Sequence, residues 1–374
     1  MTRGSEAGKV PERLYILTGE ASGDQHAARV MAALRSQHPE VEVRGMGGDA
    51  LQAQGVTLVE HIRNTSIMGF AEVLRRMGFI RRLFQRVQRD ILAFQPDRIL
   101  IVDYPGFNLR MARWARRQGF AVDMFIGPQV WAWKRHRIHP MARDLDRLNV
   151  ILPFEPDHYA EVDLEVEYVG HPLLDVDAQA VDDGDAWRKK HGISLGRPLL
   201  ALLPGSRMQE IQRMLPVFES AAQAFPDHQP VIAGAPGRTP ADYPTHLPLV
   251  FGETRALYRM AEAGWVTSGT ATLEAALAGM PQVVAYRTSP LTYRLAKAFS
   301  RVEFISLVNL ILDRSAVSEL IQGNCTAQRL SEDMAKLLSP EGKSGATAAY
   351  AELRETLSVG GAATKVAESL MRPL

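Results

Sequence analysis

Leu199-Leu200-Ala201-Leu202-Leu203-Pro204-Gly205-Ser206-Arg207 is an unbroken apolar run that stops at a proline-glycine turn and an arginine. A run this short with no polar alternation fits a strand buried on both faces, as in a parallel sheet. The pattern recurs downstream at Pro230-Val231-Ile232-Ala233, Leu249-Val250-Phe251, Trp265-Val266-Thr267 and Gln282-Val283-Val284-Ala285-Tyr286. Upstream it is found at Leu14-Tyr15-Ile16-Leu17, Val41-Glu42-Val43, Arg98-Ile99-Leu100-Ile101-Val102, Val122-Asp123-Met124-Phe125-Ile126, Asn149-Val150-Ile151-Leu152 and Glu167-Tyr168-Val169. Helical patterns, such as the one from Asp24 to Ser36, separate the runs, so βαβ units and parallel sheets are expected. Between the two series, Asp175 to Gly196 turns acidic and polar and reads as a linker.

The expected organisation is a tail at residues 1–11, an α/β domain at 12–175, a linker at 176–196, a second α/β domain at 197–340 and helices at 341–374. From about Ser315 to Leu370 the pattern is helical, with a break at Pro340 to Gly345. Two Rossmann-like parallel-sheet domains of this kind face each other across a cleft. The length of 374 residues suits two cores better than one. Hydrophobic residues at 46% and charged residues at 23% are an ordinary soluble balance, and a net charge of +1 gives no overall attraction to nucleic acid. The single cysteine, Cys325, has no disulfide partner, which fits a reducing compartment. Met1 to Val10 lacks the apolar core of a signal peptide, and no apolar run is long enough to span ~30 Å of hydrocarbon.

Ligands of open parallel sheets sit beyond the carboxyl ends of the strands, so the residues there carry the functional signal. Thr18-Gly19-Glu20-Ala21-Ser22-Gly23-Asp24 reads either as a tight turn with Ser22 or Asp24 capping the next helix, or as a backbone approach to ligand, the reading that gives Glu20 a duty. Gly205, Ser206 and Arg207, with Glu210 behind them, offer backbone N–H groups and a guanidinium fork to a phosphate. Ser268, Gly269 and Thr270 can line a diphosphate, with Glu274 one helical turn further on for ribose hydroxyls; a small-residue helix start is also a packing device. Asp103 closes an apolar strand and is either a general base or a cap. Trp131, Trp133 and Arg135 suit a saccharide flanked by phosphate, or else a core tryptophan pair beside a solvated basic helix. Asn309 stands in an apolar segment and holds either a loop or a ligand.

Ile67 to Ile91 is amphipathic: Val73, Met77, Ile80, Phe84, Val87 and Ile91 recur at helical spacing among Arg75, Arg76, Arg81, Arg82, Arg86 and Arg89. It is either a core-facing stripe or a membrane-surface helix with Met68, Phe70 and Phe79 inserted.

As an ordered set, several motifs resemble the lipid-A-disaccharide synthase family. They are Gly19-Glu20-Ala21-Ser22-Gly23-Asp24, Gly45-Met46-Gly47-Gly48, Met68-Gly69, Glu72-Val73-Leu74, Val130-Trp131-Ala132-Trp133, Val169-Gly170-His171-Pro172, Leu203-Pro204-Gly205-Ser206-Arg207, Ser268-Gly269-Thr270 with Glu274, and Leu307 with Asn309-Leu310. The resemblance implies the two-domain GT-B architecture and a peripheral enzyme of the inner membrane's cytoplasmic face. It implies metal-independent, cofactor-free, inverting transfer from UDP-diacylglucosamine to the 6-hydroxyl of diacylglucosamine 1-phosphate, giving a tetraacyl disaccharide phosphate and UDP. It assigns UDP to Gly205, Ser206, Arg207, Ser268, Gly269, Thr270 and Glu274, the acceptor mainly to the first domain with Ser22, Trp131, Trp133 and Arg135, and activity to Glu20 and Asn309. It also implies a C-terminal segment that crosses back to the first domain and can exchange between the subunits of a homodimer.

One departure stands out. Where many members read Pro-Asp-Phe-Asn, this chain has Pro105-Gly106-Phe107-Asn108, without the acid commonly assigned to catalysis, which leaves Asp103 and Glu20 as candidate bases. Two rivals fit the same fold pattern: a non-hydrolysing UDP-N-acetylglucosamine epimerase, and a non-enzymatic membrane adaptor that binds UDP without turnover.

Overall fold

The computed structural model describes residues 10–64, 77–133, 135–175, 183–290, 293, 294, 297 and 302–373. The chain divides into two compact units, Met1–Asp175 with Val359–Leu374, and Val176–Ser358.

The first unit runs β1 (Arg13–Leu17), α1 (Ala21–Gln37), β2 (Glu42–Gly47), α2 (Asp49–Ala53), β3 (Thr57–His61), α3 (Met77–Phe94), β4 (Arg98–Val102), α4 (Pro105–Arg117), β5 (Ala121–Phe125), α5 (Ile138–Asp144), β6 (Arg147–Val150) and β7 (Glu165–Tyr168). Its parallel sheet has the order β3-β2-β1-β4-β5-β6-β7. Alternation along each strand divides the side chains between two cores. Tyr15, Leu17, Ile99 and Ile101 pack with α3, α4 and α5 on one face. Leu14, Ile16, Leu100 and Val102 pack with α1 on the other. Residues on both faces of β4 are buried, which is why Arg98 to Val102 carries no polar alternation.

The second unit repeats the plan: α6 (Gly184–Lys190), β8 (Leu199–Leu203), α7 (Met208–Ala222), β9 (Gln229–Gly234), β10 (Leu249–Phe251), α8 (Thr254–Met260), β11 (Ala261–Thr267), α9 (Thr270–Leu277), β12 (Gln282–Tyr286), α10 (Leu307–Leu312), β13 (Ser318–Ile321), α11 (Ala327–Leu338) and α12 (Pro340–Thr356). The parallel order is β10-β9-β8-β11-β12-β13. Leu200, Leu202 and Trp265 pack with α7 and α11, while Leu199, Ala201, Leu203 and Val266 pack with α8 and α9.

The last helix, α13 (Ala362–Met371), belongs to the first unit. Its Ala362, Val366, Ala367 and Leu370 join the core beside α1. Both of its ends are held by charge. Asp175 accepts from the N–H groups of Gly361 at 2.7 Å and Ala363 at 3.4 Å, at the positive end of the helix. At the other end Arg98 donates to the carbonyls of Ser369 (3.0 Å), Leu370 (2.7 Å) and Arg372 (2.9 Å), and Arg147 donates to Ser369 at 2.9 Å. Arg98 is only 1% exposed, and Asp123 lies 3.4 Å from it as counter-charge.

Several expectations are corrected. Strands β3 and β13 were not anticipated: Thr57 to His61 is an edge strand of mixed polarity, and Ser318 to Ile321 lies inside a stretch that reads as helical. The acidic stretch before β8 is not all linker, because Asp183 caps α6 by accepting from Asp185 and Ala186, and Trp187 is buried in the second unit's core. Pro340 begins α12 rather than a break, after Ser339 alone has separated α11 from α12. Asp24 does not cap α1. It is buried, and its carboxylate takes the N–H groups of Gly48, Ala50 and Leu51 at the start of α2.

Replacing Arg98 with Met removes the counter-charge of Asp123 and the donor to the Leu370 carbonyl, leaving Arg147 alone at the end of α13. Breaking a buried pair from one side costs about 3–5 kcal/mol. A urea melt of Arg98→Met should therefore show a large loss of stability, and a melt like that of the unaltered chain would contradict the anchoring.

Candidate active site

In each sheet the strand order reverses once, between β1 and β4 and between β8 and β11. The helices that follow these strands leave on opposite faces: α1 and α4 pack in different cores, and so do α7 and α9. The loops therefore diverge and leave a crevice at the carboxyl edge of each sheet. Glu20 and Asp103 lie at the first crevice, Arg207 and Ser268 at the second.

At the first crevice Gly19 and Tyr104 meet. A Cβ on Gly19 would lie 2.1 Å from the Tyr104 ring, so only glycine lets the two loops approach this closely. Asp103 and Tyr104 are both left-handed, with φ of 48° and 50°, a conformation that costs non-glycine residues about 1–2 kcal/mol each. Asn108 holds them there. Fully buried, it donates to the carbonyls of Leu17 (3.3 Å), Val102 (3.2 Å) and Asp103 (2.7 Å), tying the ends of β1 and β4 together. Tyr104, not Asp103, is the N-cap residue of α4. Burial pushes the Asp103 carboxyl above its ordinary pKa, opposed in part by the Tyr104 backbone N–H. The Tyr104 phenol is also pushed up, first by burial and then by the charge of Glu20, which places Glu20 in the same electrostatic neighbourhood. Glu20 and Ser22 are exposed at the start of α1. Gly106 is exposed in the first turn of α4, and a Cβ there would touch nothing within 4 Å.

At the second crevice Gly205 has φ +102°, and a Cβ would lie 2.6 Å from Glu210 Oε2. That same carboxylate oxygen accepts from the backbone N–H groups of Ser206 and Arg207, both at 3.1 Å. The expectation that these two N–H groups are open to phosphate is thereby corrected, because Glu210 already holds them. The Arg207 side chain is 80% exposed, with Glu210 Oε1 3.5 Å from its Nη1. Arg238, in the loop after β9, donates to Ser206 O at 2.9 Å and brings a second guanidinium to the turn. Ser268 donates its hydroxyl to Ile305 O at 2.7 Å, leaving its lone pairs available. Gly269 is the N-cap residue of α9 and Thr270 its exposed first residue. Glu274 is half-buried; burial raises its pKa and Arg255 opposes the rise.

Other expected residues are placed differently. Asn309 is fully buried and wholly engaged: its amide donates to Val317 O (2.9 Å) and Glu319 (2.8 Å), and its oxygen accepts from Ala316 (2.8 Å) and Val317 (2.9 Å). The reading of Asn309 as a catalytic group gives way to the loop-holding one. Glu319 in turn accepts from Ile305 and Ser306, so Asn309 supports the segment that receives Ser268. Trp131 is a core residue whose indole N–H donates to Glu155, rather than a sugar platform, while Trp133 is 52% exposed. Arg135 pairs with Glu161 at 3.0 Å. On α3, Val87 and Ile91 are core residues, and Phe79 and Phe84 pack against the same core, so the described part of the amphipathic stripe faces inward. Arg81 and Arg82 are exposed. Met68, Phe70, Arg75 and Arg76 lie outside the described residues.

Sequence reading missed Arg238, Asn108 and the duty of Glu210. Arg238 had one visible signal, a Pro-Gly-Arg turn after a strand. Asn309→Ala would leave the buried N–H groups of Ala316 and Val317 unmet, at about 1–3 kcal/mol. A denaturation curve should show that loss, and wild-type stability combined with lost turnover would return Asn309 to a ligand role.

Residues 14–369 match the family model for lipid-A-disaccharide synthetase. The lipid-A-disaccharide synthase of Myxococcus xanthus is 38% identical over 383 residues, covering 97% of this chain and 98% of the relative. Lipid-A-disaccharide synthase 1 of Legionella pneumophila is 35% identical, covering 92% and 93%. Among solved structures, the glycotransferase of kitacinnamycin superposes with a TM-score of 0.64 at 15% identity, covering 97% of this chain and all of its own. The UDP-GlcNAc 2-epimerase of Neisseria meningitidis, bound to UDP-GlcNAc, superposes with a TM-score of 0.61 at 14% identity, covering 96% and 99%. At such identities these two structures share the fold alone. Matched over nearly its whole length by relatives of one name, the chain belongs to the lipid-A-disaccharide synthase family of glycosyltransferases.

Proposed function

We propose that the chain joins UDP-2,3-diacylglucosamine to 2,3-diacylglucosamine 1-phosphate by a single inverting displacement, with Asp103 as the base. The observation that carries this reading is the pair of switch-point crevices, one bearing carboxylates and the other guanidinium groups and a small-residue helix start. The acceptor 6-hydroxyl attacks the anomeric carbon, the glycosidic C–O bond to UDP breaks, and the hydroxyl proton passes to the Asp103 carboxylate. A carboxyl raised by burial holds that proton better than a solvated one. Glu20, beside Tyr104, orients the acceptor. Arg207, assisted by Arg238, meets the charge that grows on the UDP diphosphate as it leaves, an interaction stronger in the transition state than in the ground state. Thr270 lines the phosphates, and Glu274 accepts from ribose hydroxyls.

Acylated substrates lie in a bilayer, so the reaction belongs at a membrane surface, the cytoplasmic face of the inner membrane, with exposed Arg81 and Arg82 toward anionic lipid. No helix among the described residues is long and apolar enough to cross a membrane. The epimerase reading rests on fold likeness alone.

UDP release on mixing the two acylated sugars is the direct test. An epimerase or an adaptor would release none. Asp103→Asn keeps the shape and removes the basicity, so turnover should fall by ~10²-fold or more with UDP affinity retained. Gly106→Asp adds an acid where there is open space, and in the Asp103→Asn background it should restore part of the activity. If Glu20→Gln shows the loss and Asp103→Asn does not, the two roles exchange. Arg207→Lys preserves charge but loses the fork, and should remain clearly impaired in turnover; near-normal kinetics would remove the residue from the diphosphate.

A further inference from the structure

The second unit has an open surface cavity of about 750 Å³ that none of the residues above accounts for. It lies where β12 and β13 end: Arg287 follows β12, and Gln322 follows β13. Its frame is built by side-chain bonding. The Gln322 carboxamide accepts from Thr288 N at 2.8 Å and donates to Thr288 O at 3.2 Å, clasping the two strand-end loops together. Gln322 is itself left-handed, with φ 53°, a conformation that a non-glycine residue adopts only where its surroundings require it.

Around this frame stand Arg213 from α7, Arg287, Arg294 and Lys297, with Tyr293 as a flat wall. Among the described residues no carboxylate lines the cavity and none of the four cations pairs with one. Elsewhere in the same unit surface cations do find partners, as in Arg314 with Glu352, Lys343 with Glu262 and Lys190 with Glu253. Four like charges around one cavity repel each other, in a chain whose net charge is only +1. An anion relieves that repulsion, and three guanidinium forks match the oxygens of a phosphate better than a halide or a lone carboxylate.

The other phosphates already have candidate partners. The diphosphate turn has Arg207 and Arg238, and Arg135, expected from sequence to meet the acceptor phosphate, is paired with Glu161. We propose that the β12–β13 cavity binds the phosphomonoester of the acceptor sugar phosphate, an inference that rests on the transferase reading above. Fixing the phosphate at this end of the acceptor raises affinity without touching the atoms that react, so the cavity governs acceptor binding rather than the chemical step.

The test uses the double variant Arg294→Gln/Lys297→Gln in the full chain, because both side chains are exposed and neither belongs to the site at the β8–β11 crevice. Glucosamine 1-phosphate and UDP are titrated separately by calorimetry, and acceptor kinetics are measured with the acylated substrate. Loss of two charge-assisted contacts should weaken glucosamine 1-phosphate and raise the acceptor KM by about tenfold or more, with kcat at saturation and UDP affinity within about twofold of wild type. Unchanged glucosamine 1-phosphate affinity together with unchanged acceptor KM overturns the proposal. So does a parallel loss of UDP affinity, which would give the cations to the donor, or a loss seen only in binding to phosphatidylglycerol vesicles, which would give them to lipid headgroups. The calorimetry needs no turnover. A chain that releases UDP normally but fails these criteria refutes the cavity alone, whereas one that binds glucosamine 1-phosphate through these residues and never releases UDP refutes the transferase reading alone.

Discussion

Handedness governs where this protein can do chemistry. A strand, helix and parallel strand connect in a right-handed sense, so a sheet that grows first to one side of its opening strand and then to the other must send successive helices to opposite faces. In the first unit α1 and α4 obey this by packing in separate cores, and in the second α7 and α9 do the same. The loops between strand and helix then lead away to opposite faces at the reversal, and a crevice results beyond the point where, in the first unit, Gly19 meets Tyr104. The groups given a role in the bond-breaking step, Glu20, Asp103 and Arg207, each follow a strand at one of these two reversals, and Arg238 follows β9, the strand beside β8.

An open crevice exposes loops that would otherwise be free to move, and the structure answers with buried polar side chains. Asn108 spends its amide on the carbonyls of Leu17, Val102 and Asp103, and this is what makes two consecutive left-handed residues tolerable at Asp103 and Tyr104. Glu210 does the equivalent for the Gly205 turn by holding the N–H groups of Ser206 and Arg207, and Asn309 does it for the segment that receives Ser268. Preorganisation of this kind lowers the reorganisation needed when charge develops in the reaction. It also means that the most conspicuous polar residues near the crevices, Arg238 among them, are largely occupied in holding backbone, while the exposed positions are fewer: Arg207, Glu20 and the start of α9.

This distribution explains what could be read in the sequence. Strands buried on both faces, such as Arg98 to Val102 and Leu199 to Leu203, declare themselves because apolar side chains fill every position but that of Arg98, which is paired. Edge strands do not: Thr57 to His61 and Ser318 to Ile321 keep polar residues on their open sides and blend into their surroundings. Strand-end positions of Glu20, Asp103, Arg207 and Ser268 followed from that alternation. What the side chains do there did not, since the partner of Asn309 is Glu319 on the next strand and the partner of Trp131 is Glu155, contacts that depend on the fold as a whole. The Ile67 to Ile91 stripe shows the same limit, because periodicity identifies an apolar face but not what covers it. In α3 the sheet covers it.

Burial acts on Asp103 and Glu274 in the same direction, with different consequences. Both carboxyls are raised above their ordinary pKa chiefly by loss of solvent. For the base proposed at Asp103 the shift is useful, since a proton taken from an acceptor would be held more firmly. For stability it is adverse. A carboxyl whose pKa is higher in the folded state than in the unfolded chain favours folding only while protonated. As pH rises past the unfolded value the unfolded chain ionises first, and stability falls until the folded group has ionised as well. Above the unfolded value both groups therefore weigh against folding, with one backbone N–H at Asp103 and Arg255 near Glu274 as partial compensation. In the proposed reaction a ligand that donates hydrogen bonds, a 6-hydroxyl to Asp103 and ribose hydroxyls to Glu274, offsets part of that cost. On that proposal, substrate binding offsets a cost of burial and favours an acceptor with a hydroxyl at the reacting position over any analogue without one.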